Sequence, residues 1–127
     1  MQLDLYEEVI IMQGKMNDNI IGKTVTVIID RPMGSYHSHH KSLYYPVNYG
    51  FIENIIAGDG EEQDAYVLGV DQPIKEFTGQ VIAIVHRLND VEDKWIVVPT
   101  DLTLTKNQIE EMIYFQEQYF EHEIMME

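Results

Sequence analysis

Cysteine is absent from the 127-residue chain, which excludes disulfide bridges and thiolate metal sites. Basic residues are scarce, since eight Lys and Arg stand against 22 Asp and Glu for a formal net charge of −14. Such a surface repels phosphate backbones, so we expect no nucleic-acid partner. No apolar run approaches membrane-spanning length, and the N-terminus lacks signal-peptide features. We therefore expect a cytoplasmic protein with no membrane partner.

What the chain does contain predicts a single β-rich domain over residues 1–127. An apolar content of 45% is ordinary for a globular domain with its own core. Residues 1–20 follow neither the helical nor the strand period, and we interpret them as an N-terminal extension. β-branched and apolar runs elsewhere predict short strands, at a spacing typical of a small closed barrel. The predicted strands are Thr24–Asp30, Asn48–Ile56, Ala65–Val70, Gln80–Leu88 and Trp95–Val98.

The sequence period changes near the C-terminus. Thr105 and Gln108 form a capping-box signal at the start of an amphipathic helix. The predicted fold is therefore mainly β with a C-terminal helix, as a small closed OB-like barrel. The residues at helical spacing are Ile109, Met112, Ile113, Gln116 and Phe120, with Tyr119 also near the end.

The densest acidic segment is Asp59-Gly60-Glu61-Glu62-Gln63-Asp64, between two predicted strands. Its glycine allows a tight turn, so that carboxylate oxygens can converge on one hard cation such as Mg²⁺. The alternative interpretation is a solvated acidic turn. An EF-hand is excluded because the ligand spacing and terminal Glu of that loop are absent.

Three other polar segments have both a structural and a chemical interpretation. The segment Tyr44-Tyr45-Pro46-Val47-Asn48-Tyr49-Gly50 is either aromatic packing or a set of hydroxyl donors for phosphate. The segment Asn89-Asp90-Val91-Glu92-Asp93-Lys94 is either a polar hairpin loop or a second acidic wall with one cation. The segment with His37, His39 and His40 is an exposed polar loop or a soft-metal site.

The order of these motifs resembles the family I soluble inorganic pyrophosphatases, which are small β-barrels with helices packed outside. The Tyr-Pro-x-Asn-Tyr-Gly segment is followed, about ten residues on, by Asp-Gly-acid-x-x-Asp. The similarity runs from about Thr24 to Pro99, with a weaker echo in the final helix. It implies hydrolysis of pyrophosphate with two or more Mg²⁺ ions, for which Mn²⁺ can substitute, in a homo-oligomer.

The resemblance also implies roles for individual residues. Glu61 stands where the family has an Asp that deprotonates the attacking water, and Tyr49 and Lys94 resemble its phosphate contacts. Tyr45 and Tyr119 match substrate-binding tyrosines. The implied metal ligands are Asp59, Asp64, Asp90 and Glu92, with Asp93 as an alternative to Glu92 because the register of this loop is ambiguous.

Two departures from the family pattern leave a second hypothesis open. The basic hairpin is compressed to residues 36–42, and the Tyr-Lys pair of the helix end becomes Tyr119-Phe120. Replacement phosphate-binding groups are available in Arg31, Lys41 and the three partly protonated imidazoles, His37, His39 and His40. If these do not suffice, the chain is an inactive relative that binds metal and phosphate or a nucleotide.

Overall fold

A computed structural model describes residues 20–89 and 92–127. The N-terminal extension expected over residues 1–20 therefore lies outside the described residues, apart from Ile20. The expected metal ligand Asp90 also lies outside them.

Five strands close into a barrel, which confirms the fold expected from the sequence. The strands are β1 (Thr24–Arg31), β2 (Asn48–Ile56), β3 (Glu62–Val67), β4 (Glu76–Arg87) and β5 (Asp93–Val98). The sheet runs in the order β1, β2, β3, β5, β4, and β4 pairs again with β1. Every barrel pairing is antiparallel except the parallel pair β3–β5.

The long strand β4 also carries a sixth strand, β6 (His122–Met125), that the sequence analysis missed. The first half of β4 pairs with β1, and its second half, Ile84–Arg87, pairs with β6 along the same edge. With only four residues, β6 shows too little alternation to be recognised from its pattern. It forms because the free half of that edge supplies its backbone hydrogen bonds.

Side-chain alternation along the strands divides the apolar residues into two cores. One core takes residues from all five barrel strands and fills the barrel, with Val27, Ile52, Ala65, Ile84 and Trp95 among its members. The other lies on the outer face of β2–β5 and is covered by the helix. It includes Tyr49, Tyr66, Val85, Ile96, Ile109 and Ile113.

The covering helix, α1 (Lys106–Glu117), begins where the sequence predicted. The Thr105 hydroxyl accepts the N–H of Gln108 at 3.1 Å, and the Gln108 side chain accepts the N–H of Thr105 at 2.8 Å. The helix ends earlier than the apolar spacing indicated, because residues 118–120 form a turn. The N–H of Phe120 donates to the carbonyl of Glu117 at 3.0 Å, and the chain then enters β6.

The close approach of β1 and β2 requires a glycine at position 50. A Cβ atom added there would overlap the carbonyl oxygen of Ile28. We expect Gly50→Ala to lower the free energy of unfolding by about 3 kcal/mol or more, at the upper end of overpacking costs, because a paired barrel strand cannot shift freely. Gly34→Ala is the control: its Cβ meets nothing within 4 Å, and only its φ of +92° opposes substitution. Urea unfolding curves showing equal losses for the two variants would contradict this prediction.

Candidate active site

Tyr49, Asp64 and Lys94 come together on the outer face of the barrel, at the edge of the core beneath α1. The Tyr49 hydroxyl donates to Oδ2 of Asp64 at 3.0 Å. The Lys94 ammonium donates to the same oxygen at 2.6 Å and to Oε1 of Glu92 at 2.6 Å. Lys94 is only 3% exposed, whereas the Asp64 side chain is 34% exposed. A buried cation therefore lies behind two carboxylates that solvent reaches.

The environment fixes the protonation of the two donors. Burial raises the pKa of Tyr49 well above its ordinary value, although Lys94 opposes the shift, so the phenol keeps its proton. Burial alone would lower the pKa of Lys94. Tyr49, Asp64 and Glu92 more than compensate, and the pKa of Lys94 is raised. Lys94 is therefore a permanent positive charge at the site.

The site has two acidic walls, one formed by Glu92 just before β5 and the other by the acidic turn before β3. Gly60 takes a φ of +87°, which lets the chain reverse, and Oδ1 of Asp59 accepts the N–H of Glu61 at 2.9 Å. A side-chain hydrogen bond between Asp59 and Glu92 lowers the pKa of Asp59 and raises the pKa of Glu92. The two walls therefore meet at this pair of carboxyl groups. The Glu61 side chain is exposed beside them.

The donor chemistry at this meeting point fits a hard cation. Oxygen ligands are those that Mg²⁺ prefers, and two carboxyl groups in contact need either a proton or a cation between them. Lys94 links a third carboxylate to this Asp59–Glu92 pair, because its ammonium group donates to both Asp64 and Glu92. Within residues 20–89 and 92–127, however, no three His, Asp or Glu side chains are arranged to hold a metal ion.

Asp93, the alternative to Glu92 among the expected metal ligands, lies apart from Lys94 in the structure. Adjacent residues of a strand point to opposite faces, so Asp93 faces away from Lys94. Its carboxylate contacts Nδ1 of His86 at 2.8 Å, from the opposite position on β4. Of the two alternatives, Glu92 is the one that the structure brings to Asp64 and Lys94.

Arg31 reaches the same site from β1. Its guanidinium lies 5.8 Å from the ring centroid of Tyr49, which is also the distance from Lys94 Nζ to that centroid. Nη1 of Arg31 donates to the Tyr45 hydroxyl at 3.0 Å, and that hydroxyl in turn donates to Oε1 of Gln116 at 2.6 Å. Tyr45 is fully buried, so it supports Arg31 while its own hydroxyl is engaged with the helix.

The histidine segment forms a small hairpin closed by an isolated bridge between Tyr36 and Tyr44. Nδ1 of His37 accepts the N–H of His39 at 3.0 Å and that of His40 at 3.2 Å, so this nitrogen carries no proton. The His37 ring stacks 6.4 Å from Tyr45, which places the hairpin beside Arg31. The hairpin geometry thus favours neutral His37, and exposed Lys41 carries the positive charge at its tip.

The helix end differs most from the arrangement that the sequence implied. Tyr119 lies on the turn after α1 with 69% of its surface exposed. The Phe120 ring instead packs against Arg87, whose Cζ lies 3.7 Å from the ring centroid. Arg87 donates through Nε and Nη2 to the carboxylate of Glu117, at 3.0 and 2.7 Å.

Arg87 and Glu117 were not among the residues predicted for the site, although the sequence contains a signal for each. In the apolar run predicted as the strand Gln80–Leu88, Arg87 is the one residue with a permanent positive charge, and His86 is the one other titratable residue. Glu117 follows Ile113 by four residues and so falls on the inward face of the helix. A charge at each of these inward positions predicts a buried ion pair.

The comparisons with known proteins assign the family. Residues 17–124 match the model of the inorganic pyrophosphatase family, and the chain belongs to that family. The enzyme class expected from the sequence, a hydrolase of the phosphoanhydride bond, is confirmed at this level. No curated protein sequence matches the chain.

Solved structures of inorganic pyrophosphatases share the fold at low sequence identity. The enzyme from Neisseria gonorrhoeae is 22% identical, with a TM-score of 0.61 over 77% of this chain and 74% of its own. The enzyme from Ehrlichia chaffeensis is 22% identical, with a TM-score of 0.62 over 81% and 85%. That from Thermus thermophilus is 18% identical, with a TM-score of 0.57 over 80% of each chain. In the described part of this chain, no helix has the length and apolar character needed to cross a membrane.

Two histidines are expected to titrate on opposite sides of the ordinary value near 6.5. Burial and the Arg31 charge lower the pKa of His37. Burial also opposes protonation of His122, but the Phe120 carbonyl and Glu110 outweigh it and raise the pKa. In an NMR pH titration, His37 should therefore titrate below pH 6.5 and His122 above it.

The same titration tests the hairpin. Because the folded-state pKa of His37 is depressed, its contribution to hairpin stability is present above pH 6.5 and is lost as pH falls through the folded-state value. The amide signals of His39 and His40 should then shift together with the His37 ring. A His37 midpoint at or above 6.5 would contradict this hydrogen-bonded hairpin, whatever the midpoint of His122.

Proposed function

We propose that the chain hydrolyses inorganic pyrophosphate to two phosphates in a Mg²⁺-dependent reaction. The observation that carries the proposal is the placement of Lys94 and Tyr49, two permanent donors, directly behind the carboxylates of Asp64 on β3 and Glu92 just before β5. Carboxylates alone would repel a pyrophosphate anion. A site that combines them with fixed donors and a divalent cation can hold the substrate and stabilise charge on the leaving phosphate.

The residues that would hold the cation are Asp59, Asp64 and Glu92, and Asp90 belongs to the same proposed set. Mn²⁺ should substitute for Mg²⁺, because both accept carboxylate and water oxygens. More than one ion would be needed to balance the substrate charge. When bound, such ions supply an activated water and neutralise phosphate oxygens.

The chain's own donors would bind the substrate. Lys94 and Tyr49 contact the phosphate nearest the acidic walls, and Arg31 receives the other phosphate from the β1 side. Lys41, His37, His39 and His40 would add affinity from the hairpin next to Arg31. Tyr45 acts by orienting Arg31, and Tyr119 contributes from the exposed turn after α1.

Glu61 is proposed as the general base. Its carboxylate is exposed on the acidic turn, and the hydrogen bond from its N–H to Asp59 fixes that turn. It would hold the proton taken from the attacking water, while Lys94 and Tyr49 keep the phosphate in place. General-base catalysis typically contributes ~10²–10⁴-fold to rate.

We further propose a single catalytic domain over residues 1–127, cytoplasmic and assembled as a homo-oligomer. The homo-oligomer is proposed from membership of the inorganic pyrophosphatase family.

The alternative proposal is an inactive relative that binds metal and phosphate or a nucleotide. One observation favours it: Lys94 already bridges Asp64 and Glu92 at 2.6 Å, and so competes with a cation for these oxygens. The two proposals differ in turnover and share ligand binding.

Purified protein should release phosphate from pyrophosphate only when Mg²⁺ or Mn²⁺ is present. Asp64→Asn should strongly reduce this activity, because it removes a ligand charge and weakens the hold on Lys94, while the circular dichroism spectrum stays unchanged. A phosphate-release assay tests both points. No turnover with Mg²⁺, Mn²⁺ or Co²⁺ would contradict catalysis and favour the binding alternative.

Glu61→Gln should lower kcat by about 10²–10⁴-fold while Mg²⁺ affinity changes little, because the amide cannot take a proton from water. The matched control is Glu62→Gln, which neutralises the neighbouring exposed acid at the start of β3. Steady-state kinetics with calorimetric Mg²⁺ titration separate the two effects. Near-normal turnover by Glu61→Gln would mean that another group activates the water.

A further inference from the structure

Gln116 is a buried polar side chain on the inner face of α1, next to the proposed site. It is only 8% exposed, and both ends of its amide are used. Oε1 accepts the Tyr45 hydroxyl at 2.6 Å, and Nε2 donates to the Tyr66 hydroxyl at 2.7 Å. Because a buried amide is costly unless its polar atoms are hydrogen-bonded, these two tyrosines fix the position of Gln116.

The direction of these hydrogen bonds is set at both ends of the series Tyr66–Gln116–Tyr45. At one end, the Tyr66 hydroxyl donates to Oε2 of Glu117 at 2.6 Å, because a carboxylate can only accept. Tyr66 therefore accepts from the amide nitrogen of Gln116, which leaves the amide oxygen for Tyr45. At the other end, the guanidinium of Arg31 can only donate, and it donates to the Tyr45 hydroxyl at 3.0 Å. The proton of that hydroxyl then points to Gln116.

A neutral anchor leaves the charge of Arg31 available to a ligand. Arg31 is half-buried, and its guanidinium lies 5.6 Å and 5.8 Å from the ring centroids of Tyr45 and Tyr49. Lys94, by contrast, donates to two carboxylates, which balance its charge. The Tyr45 hydroxyl directs the guanidinium without neutralising it, which suits a residue that binds an anionic group.

We propose that Gln116 is a positioning residue for substrate: through the Tyr45 hydroxyl, it directs Arg31 toward the second phosphate. The inference rests on the proposed pyrophosphate site. Without the amide oxygen, the buried Tyr45 hydroxyl would lose its acceptor and would turn toward another one, because an unsatisfied buried donor is costly. Arg31 would then lose the lone pair that it now contacts, and its guanidinium would no longer be held in one direction.

The test measures affinity for imidodiphosphate, a pyrophosphate analogue with nitrogen in place of the bridging oxygen, by calorimetry with Mg²⁺ present. Gln116→Met nearly conserves the side-chain volume but removes the acceptor. It should weaken binding by about 3–10-fold, the range for one hydrogen bond. The matched control is Gln118→Met, because Gln118 is exposed and its amide donates to the Phe115 carbonyl of its own helix at 3.1 Å. The affinity of this control should match that of the wild type.

An Arg31→Gln background separates positioning from a purely structural role. The group that Gln116 directs is gone in this background, so adding Gln116→Met should change affinity by less than about twofold. A general loosening of the helix or the site would instead add its own loss. Unchanged affinity in folded Gln116→Met protein, or an equal further loss in the Arg31→Gln background, would overturn the inference.

Thermal melts show whether each variant is folded at the temperature of the titration. If Gln116→Met does not fold, Gln116→Leu takes its place in both backgrounds, because it also removes the acceptor and is smaller. The same expected losses and the same contrary outcomes apply to it.

The analogue also separates this inference from the proposed function. Wild-type protein that binds imidodiphosphate without hydrolysing pyrophosphate would contradict catalysis alone, because the variants could still be ranked by affinity. Active wild-type protein together with normal analogue binding by Gln116→Met would contradict the role of Gln116 alone. Wild-type protein that binds no analogue would overturn both the substrate site and the role of Gln116.

Discussion

The buried carboxylate of Glu117 is the constraint on which the packing of helix against barrel depends. An ionised carboxylate removed from water costs several kcal/mol unless charged and polar partners replace its hydration. Here the replacements come from the barrel: the fork of Arg87 on β4 and the hydroxyl of Tyr66 on β3. The helix can therefore dock in one register only, with Glu117 over these two strands. An apolar interface of similar size would tolerate sliding.

A continuous set of hydrogen bonds extends this constraint to the site. Gln116, next to Glu117, donates to the Tyr66 hydroxyl at 2.7 Å and accepts the Tyr45 hydroxyl at 2.6 Å. Tyr45 in turn accepts Arg31. In the described part of the chain, every buried side-chain nitrogen and oxygen has a partner. The helix thus orients two arginine side chains near Tyr49 and Lys94. Gln116 orients Arg31 through Tyr45, and Glu117 pairs directly with Arg87.

The fold could be predicted from the sequence because its determinants are local. The run Asn48–Ile56 is recovered with the same bounds as a strand, and the Thr105–Gln108 capping box starts the helix where the pattern indicated. β6 could not be predicted, because its formation depends on an edge of β4 that is distant in sequence. The same reasoning explains the early end of the helix, where the chain turns to reach that edge.

The candidate site was predictable by residue type but not by pairing. The acidic and tyrosine motifs indicated the residues Tyr49, Asp64 and Lys94, which the structure brings together. Their spacing could not decide between Glu92 and Asp93, because that choice depends on which face of β5 turns toward the helix. The Arg87–Glu117 pair joins residues 30 positions apart, and only the docked helix brings them together.

The basic side chains of Lys94, Arg87 and Arg31 explain how a chain with a net charge of −14 can present the proposed site for an anion. Lys94 and Arg87 lie on the adjacent strands β5 and β4, where backbone pairing prevents large movements. Asp64 and Glu92 balance the charge of Lys94, and Glu117 balances that of Arg87. Neither charge is therefore exposed to attract anions non-specifically from solution. Further positive charge comes from Arg31, 5.8 Å from the ring centroid of Tyr49, and from Lys41 on the hairpin beside it. In the reaction proposed above, a phosphoanhydride would bind with one phosphate at Arg31 and the other near Asp64 and Glu92, where a divalent cation would complete the charge balance.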